Sequence, residues 1–356
     1  MWTAVREQRP LSIIFFWRKR MRKFSLTVLL LAVLAVGAFA RGGQDAGAQP
    51  AAQPASQPAA QPAAQPNVVH IEVVSKGFLF QFWQAVKVGA DKAAKELGIT
   101  INFVGPESES MIDAQTDMFE TALARKPQAI CFAALDAVAQ APLVARAKAQ
   151  GIPVVTFDAT VNTDDPVSYV ATDSLAAGGI AADKMNEALG AKGGKVAVIA
   201  SDQTNTTQIM RRDGFVNQVK AKYPNIKIVD IVYGADPLKS TEVATSVMVS
   251  NPDLAGFYAC NEGTAVGLAN AIKELNLKGK IIAIGFDSGK LQLDAIRDGT
   301  LYGSIQQNPV LIGYDAIQMA YKAYKGETVP KRIDTGIVWS NAANLDSPEV
   351  QAVIYQ

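Results

Sequence analysis

The sequence predicts two doubly wound α/β lobes, each a parallel sheet covered by helices on both faces, joined by a hinge. Three observations predict it. From Asn67 onward, short apolar runs alternate with helical patterns, the signature of parallel strands joined by crossover helices. The runs fall into two series that match internally, at 68–74, 99–104, 129–132, 153–157 and 167–171, then at 195–200, 226–232, 256–260, 281–286 and 303–306. The fourth run leaves through Phe-Asp in both series, at Phe157-Asp158 and at Phe286-Asp287, about 25 residues after the third.

The elements follow in order. Residues 1–40 read as an export signal. Arg18, Lys19, Arg20, Arg22 and Lys23 form a basic region, 24–36 an apolar one, and Ala38-Phe39-Ala40 the small-x-small pattern at which such signals are cut. The apolar run is short of the roughly 20 residues of a membrane span. Met21 is a second candidate start, since 21–40 alone makes a complete signal. Residues 41–66, built of Ala-Gln-Pro repeats, have little apolar bulk to bury and read as an extended linker. The helical pattern at 83–97 sets Trp83, Val86, Ala90, Ala94 and Leu97 on one face and Lys87, Asp91 and Lys95 on the other.

Composition narrows the function. The 356 residues are 49% hydrophobic and 19% charged, ordinary for a globular chain. The first forty residues hold seven of the 34 Lys/Arg and one of the 33 Asp/Glu, so the remainder has 27 basic and 32 acidic residues, net −5. That balance speaks against nucleic acid as a partner, which calls for a basic patch. Cys131 and Cys260 each end an apolar run in different halves, the setting of buried free thiols more than of a disulfide. The single histidine, His70, lies within the first run, so neither a Ser-His-Asp triad nor a histidine metal cluster is available. No Gly-x-Gly-x-x-Gly or Gly-Lys-Ser/Thr phosphate loop follows a strand. A glycosidase pair of Asp158 and Asp287 lacks any sign of one carboxyl set in an apolar pocket. Binding without metal or cofactor is the expected function.

Open parallel sheets place ligands beyond the carboxyl ends of their strands. Sorted by that rule, the first half offers Ser75, Lys76, Asp136 and Asp158, and the second offers Thr204 within 203–206, Asn261, Asp287 and Gln307. The stretch "SKGFLFQFWQ" adds Phe78, Phe80, Phe82 and Trp83 at the same edge. Asp158, Asp287 and Asn261 also have the blander reading of helix caps, and the aromatics that of core packing. The Phe-Asp repeated in both halves favours the ligand reading for the two aspartates.

The order and spacing of "SKGFLFQFWQAVKVGADKAAKELG", "AICFAALDA", "GIPVVTFD", "VATDSLAAGG", "RRDGFVNQVK", "NPDLAGFYACNEGTAVG", "IIAIGFDSGK" and "DTGIVW" resemble the ribose-type periplasmic sugar-binding proteins, the solute receptors of bacterial ABC importers. The resemblance runs from about Val68 to Gln356. It implies a type I periplasmic binding protein fold, a monomer in the periplasm, and delivery of a sugar to a membrane permease. It also implies crossings near Ala171, Gln307 and Gly336, so that 67–172 with 308–336 form one lobe and 173–307 with 337–356 the other. Phe82 and Trp83 match a paired aromatic position that sandwiches a sugar ring. Asp158, Asn261, Asp287 and Gln307 match positions that bond sugar hydroxyls, with Lys76, Asp136, Thr204 and Arg211 as further candidates.

The chain departs from ribose receptors at Ala159, Ile209 and Ala133, where they carry Arg, Arg and Asn; Arg211 stands two residues beyond Ile209. Those losses speak against ribose and, with two aspartates facing one cleft, against an anionic ligand. A neutral monosaccharide or polyol is expected. Lac-repressor-type regulators share such a fold but begin with a helix-turn-helix. A sensory module that docks to a chemotaxis or kinase partner is the alternative role.

Overall fold

The computed structural model describes residues 68–355. The expected export signal, 1–40, and the expected Ala-Gln-Pro linker, 41–66, lie outside the described residues. No helix among the described residues is long and apolar enough to cross a membrane.

The first lobe opens with β1 (His70–Val74), α1 (Gln81–Leu97), β2 (Thr100–Val104), α2 (Ile112–Ala124), β3 (Ala129–Phe132), α3 (Ala141–Ala149), β4 (Val154–Phe157) and β5 (Ser168–Ala171). The second comprises α4 (Ser174–Leu189), β6 (Gly194–Ala200), α5 (Thr206–Lys222), β7 (Ile226–Tyr233), α6 (Pro237–Ser250), β8 (Leu254–Ala259), α7 (Glu262–Glu274), β9 (Ile282–Phe286), α8 (Lys290–Arg297) and β10 (Gly303–Gln306). The chain then returns through α9 (Pro309–Tyr324) and β11 (Arg332–Asp334), and crosses again to β12 (Val338–Asn341) and α10 (Pro348–Gln351).

The two sheets have one strand order, β2-β1-β3-β4-β5-β11 and β7-β6-β8-β9-β10-β12. Every pairing is parallel except β12 on β10. The central strands are buried on both faces, which is why they read as unbroken apolar runs. In this order the strand sequence reverses between β1 and β3, and between β6 and β8, opening a crevice at the carboxyl ends in each lobe. The five runs expected in each half are thus the five consecutive strands of each sheet; β11 and β12 are additional. Three strand-end segments pass between lobes: Ala171 to Ser174, Gln306 to Pro309, and Asp334 to Val338.

Helix α1 begins at Gln81, two residues before the expected start, which puts Phe82 and Trp83 in its first turn. Gly98, in the left-handed conformation at φ 65°, ends it and returns its N–H to the carbonyls of Ala94 and Lys95. Helix α9, coming from the second lobe, lies against α1 and shares its core with Val86, Ala90 and Ile71. The approach is close because both helices present glycine. A Cβ on Gly313 would meet the Val86 carbonyl oxygen at 1.9 Å, and one on Gly89 the Val310 carbonyl oxygen at 1.8 Å. Cys131 and Cys260 are free and buried.

Helix propensity alone says Gly313→Ala should stabilise by ~1 kcal/mol. The packing says the opposite, a loss of about 1–3 kcal/mol from overfilling. Chemical denaturation of this variant is expected to show lower stability; a gain would contradict the close α1–α9 contact.

Candidate functional site

A narrow cavity, with about 250 Å³ of atom-free space counting that open to solvent, lies between the lobes, lined by Lys76, Phe80, Phe82, Trp83, Glu109 and Asp158 from the first and Gln208, Arg211, Asn261, Glu262, Asp287 and Gln307 from the second. Each group arrives on a segment that leaves the carboxyl end of a strand. Lys76 follows β1, Glu109 follows β2, Asp158 follows β4, Asn261 follows β8, Asp287 follows β9 and Gln307 follows β10.

Asp158 and Asp287 occupy equivalent places and share an unusual backbone, left-handed at φ 56° and 80°. Aspartate tolerates this region better than most side chains, and here it turns each carboxylate back over its own strand end. Asp158 pairs with Lys76 at 2.9 Å and stands 3.8 Å from Arg211, and all three are at most 3% exposed. Asp287 accepts the Gln307 amide at 2.7 Å and the Glu262 backbone N–H at 3.1 Å. The first of these bonds ties the crossing segment to the site.

Arg211 lies at the centre of the second lobe's contribution. One nitrogen donates to the Cys260 carbonyl at 3.0 Å, and the guanidinium carbon lies 3.7 Å from the centre of the Phe286 ring. Arg211, two residues beyond Ile209, thus brings an arginine to the cavity. Arg211 faces the cavity whereas Ile209, two positions earlier on the helix, does not, because two residues turn a helix by about 200°. Ala133 and Ala159 are fully buried and lie off the cavity.

The aromatics do not form two parallel plates. The Phe82 and Trp83 rings are perpendicular, at 90° with centroids 4.9 Å apart, since adjacent helical residues project about 100° apart. They make a corner, backed by Phe157 behind Trp83 and Tyr355 behind Phe82. Phe80 joins the lining, and its ring comes across to Gly263 of the second lobe. Phe78 turns away and packs on Phe103.

Asn261 is both lining and cap: its side chain accepts the Thr264 N–H at 3.0 Å and starts α7. Asp136 and Thr204 lie off the cavity. Asp136 accepts the backbone N–H groups of Val138 and Ala139. Thr204 fastens the lobes beside the cavity, donating to the Leu135 carbonyl at 3.1 Å while its own carbonyl accepts the Ala137 N–H. Ser75 is buried beneath the site, bonded to the Val104 carbonyl.

Sequence reading missed Glu109, Gln208 and Glu262. Glu109 accepts the Trp83 indole N–H at 2.8 Å with one oxygen. Its other oxygen, the Gln208 side-chain nitrogen, and two guanidinium nitrogens of Arg211 are buried without a hydrogen-bond partner among the described residues. The lining thus presents both acceptors and donors toward one small space.

Its electrostatics follow from burial. Loss of water alone would lower the Lys76 ammonium, but Asp158 and Glu109 beside it outweigh that and raise it. Burial raises the Glu109 and Asp287 carboxyls, against Lys76 in the first case and Arg211 in the second. Glu262 is pushed up from 4.5 to about 7, first by burial and then by Asp287.

A family model described as a periplasmic binding protein domain matches residues 71–328. The D-allose-binding periplasmic protein of Escherichia coli is 30% identical over 267 residues, covering 72% of this chain and 86% of that protein. Among solved structures, a carbohydrate transporter solute-binding protein from Agrobacterium radiobacter in complex with D-arabinose is 32% identical, with a TM-score of 0.79 over 82% of this chain and all of that one. A second, from Agrobacterium vitis with bound D-fucose, is 35% identical, with a TM-score of 0.78 over 80% of this chain and all of that one.

Glu262 carries a pH dependence of known sign. Its folded pKa lies above the unfolded value, so the folded protein holds this proton more tightly and loses stability as pH rises from 4.5 to about 7. Melting temperatures measured across that window are expected to fall and then level off, and Glu262→Gln to remove most of the fall. A flat wild-type profile would contradict the burial of this carboxyl.

Proposed function

This chain belongs to the periplasmic binding protein family, and on that premise we propose that it binds a neutral monosaccharide or polyol between its lobes and delivers it to an ABC importer's permease. The unpartnered donors and acceptors at the walls of the interlobe cavity carry the reading. A sugar or polyol offers alternating hydroxyls, each both donor and acceptor, and a sugar ring adds apolar C–H faces. Phe82 and Trp83 supply flat apolar surface; Asp158, Asn261, Asp287, Gln307, Lys76 and Arg211 take hydroxyls, together with Glu109 and Gln208. The relatives support the class of ligand, since they include a protein named for D-allose and solute-binding proteins solved with D-arabinose and D-fucose.

Neutrality follows from charge. The described lining sets four carboxylates, Glu109, Asp158, Glu262 and Asp287, against two cations, Lys76 and Arg211. Asp158 already engages Lys76, so an added anion would find one further cation, Arg211, among three other carboxyls whose ionised forms repel it strongly away from water. The protein acts by binding rather than turnover. Because the site is split, a ligand touches every group only when the lobes are closed, and it stabilises that state by its differential affinity. We place the first lobe at 67–172 with 308–336 and the second at 173–307 with 337–356. The working protein is an exported monomer, freed of residues 1–40.

A thermal-shift panel of neutral pentoses, hexoses and polyols beside their phosphates and acids tests the ligand class. At ligand ~100-fold above Kd, stabilisation of about 2.7 kcal/mol is expected from neutral members. Shifts given only by anionic members would overturn the charge argument. Asp287→Asn should weaken binding about tenfold to a hundredfold by calorimetry, the worth of one charge-assisted bond, with little change in melting. Asp158→Ala should lose stability as well as affinity, because it leaves the Lys76 ammonium buried without its partner.

A further inference from the structure

Two helices beside the cavity take an acceptor for backbone N–H groups of their first turn from the other lobe. Helix α1 follows Phe80, which has no hydrogen-bonding side chain, and its first turn carries no acidic residue. Helix α8 follows Gly289, which has no side chain to cap it; Gln292 accepts the Gly289 N–H at 3.1 Å but leaves that of Lys290 unmet within the lobe. The first backbone N–H groups of a helix need acceptors, and each lobe finds them on the other. Glu262 of the second lobe accepts the N–H of Gln81 at 3.3 Å and of Phe82 at 3.2 Å. Gln81 of the first lobe returns the favour in kind, its side-chain oxygen accepting the Lys290 N–H at 2.7 Å.

We infer that Glu262 and Gln81 form a two-way latch, in which each lobe caps a helix of the other and the closed form is held by contacts outside the ligand. The latch rests on the reading of the cavity as a site between lobes that open and close. Tyr355, near the end of the chain, braces it: its hydroxyl donates to Glu262 at 3.3 Å and accepts the Ser288 N–H at 3.4 Å, and its ring lies 6.1 Å from that of Phe82. The Glu262 carboxyl stands at the positive end of α1, which favours its ionised form. Opening the lobes strips three helix N–H groups of their acceptors and hands them to water. Gln81 and Glu262 are therefore positioning residues for Phe82, whose own N–H is one of the three.

Two variants reach the latch from outside the described cavity lining. Gln81→Ala removes the acceptor for Lys290. Gly289→Ala places a Cβ 2.5 Å from the Glu262 carboxylate oxygen and forces it aside, at a residue whose φ of −56° suits alanine. Spin labels at Lys95→Cys on α1 and Lys222→Cys on α5, both exposed, report the separation of the lobes by pulsed electron resonance. The full chain is measured without sugar and with D-allose, D-arabinose and D-fucose at saturating concentration. Each variant is expected to cut the ratio of short- to long-distance populations in the sugar-free protein about fivefold or more, the factor that ~1 kcal/mol makes in a two-state equilibrium. An unchanged ratio in both variants overturns the latch, as does a wild-type chain with no short-distance population in either condition. Sugars that leave the wild-type distances unaltered count against the sugar-site reading alone, because the latch is then read from the sugar-free protein. Should Gly289→Ala fail to fold, Gln81→Ala decides by itself.

Discussion

An ammonium taken out of water costs several kcal/mol unless carboxylates surround it, and that constraint organises the cavity. Lys76 sits at the end of the first strand with Asp158 at 2.9 Å, and Glu109 adds to the field that keeps it charged. Arg211 enters from the opposite lobe and shares Asp158 at 3.8 Å. One aspartate thus serves a cation from each side of the cleft. Glu109 and Gln208, which also line the cavity, keep buried polar atoms without partners among the described residues, so the arrangement suits a guest that brings hydroxyls rather than charge.

The same constraint explains the wall of aromatics. Lys76 lies 5.6 Å from the Trp83 ring centre, and the Arg211 guanidinium lies against Phe286, so aromatic faces help to hold both cations away from water. Phe157 and Phe286, the residues before the two aspartates, back Trp83 and Arg211 respectively. The Phe-Asp repeat is therefore one device used twice: a buried ring beneath, then a left-handed aspartate turned over the strand end.

Much of this was legible in the sequence. Ten apolar runs became ten strands in two sheets of identical order, because buried parallel strands leave an unmistakable unbroken apolar signature. Strand-end position found Lys76, Asp158, Asn261, Asp287 and Gln307, all of which line the cavity. Strands β11 and β12 escaped notice. They are three and four residues long, include polar residues, and owe their conformation to partners far away in the chain. Glu109, Gln208 and Glu262 escaped for a related reason. A glutamate in a loop or a glutamine in the first turn of a helix looks like any surface residue, and only the meeting of two lobes buries it. Their one available signal was position, since Glu109 follows β2 at the same edge as Lys76. Asp136 and Thr204 obeyed the strand-end rule yet cap a turn and fasten the rim, so the rule finds the edge of the sheet but not which way a side chain faces.

The central claim is that ligand is held by both lobes at once, in a cavity that exists only when they meet. Small-angle X-ray scattering tests it most directly, using a sugar whose binding has been established by calorimetry. The account expects the radius of gyration to be smaller at saturation than in the free protein. A sugar that binds and leaves the radius unchanged would contradict it.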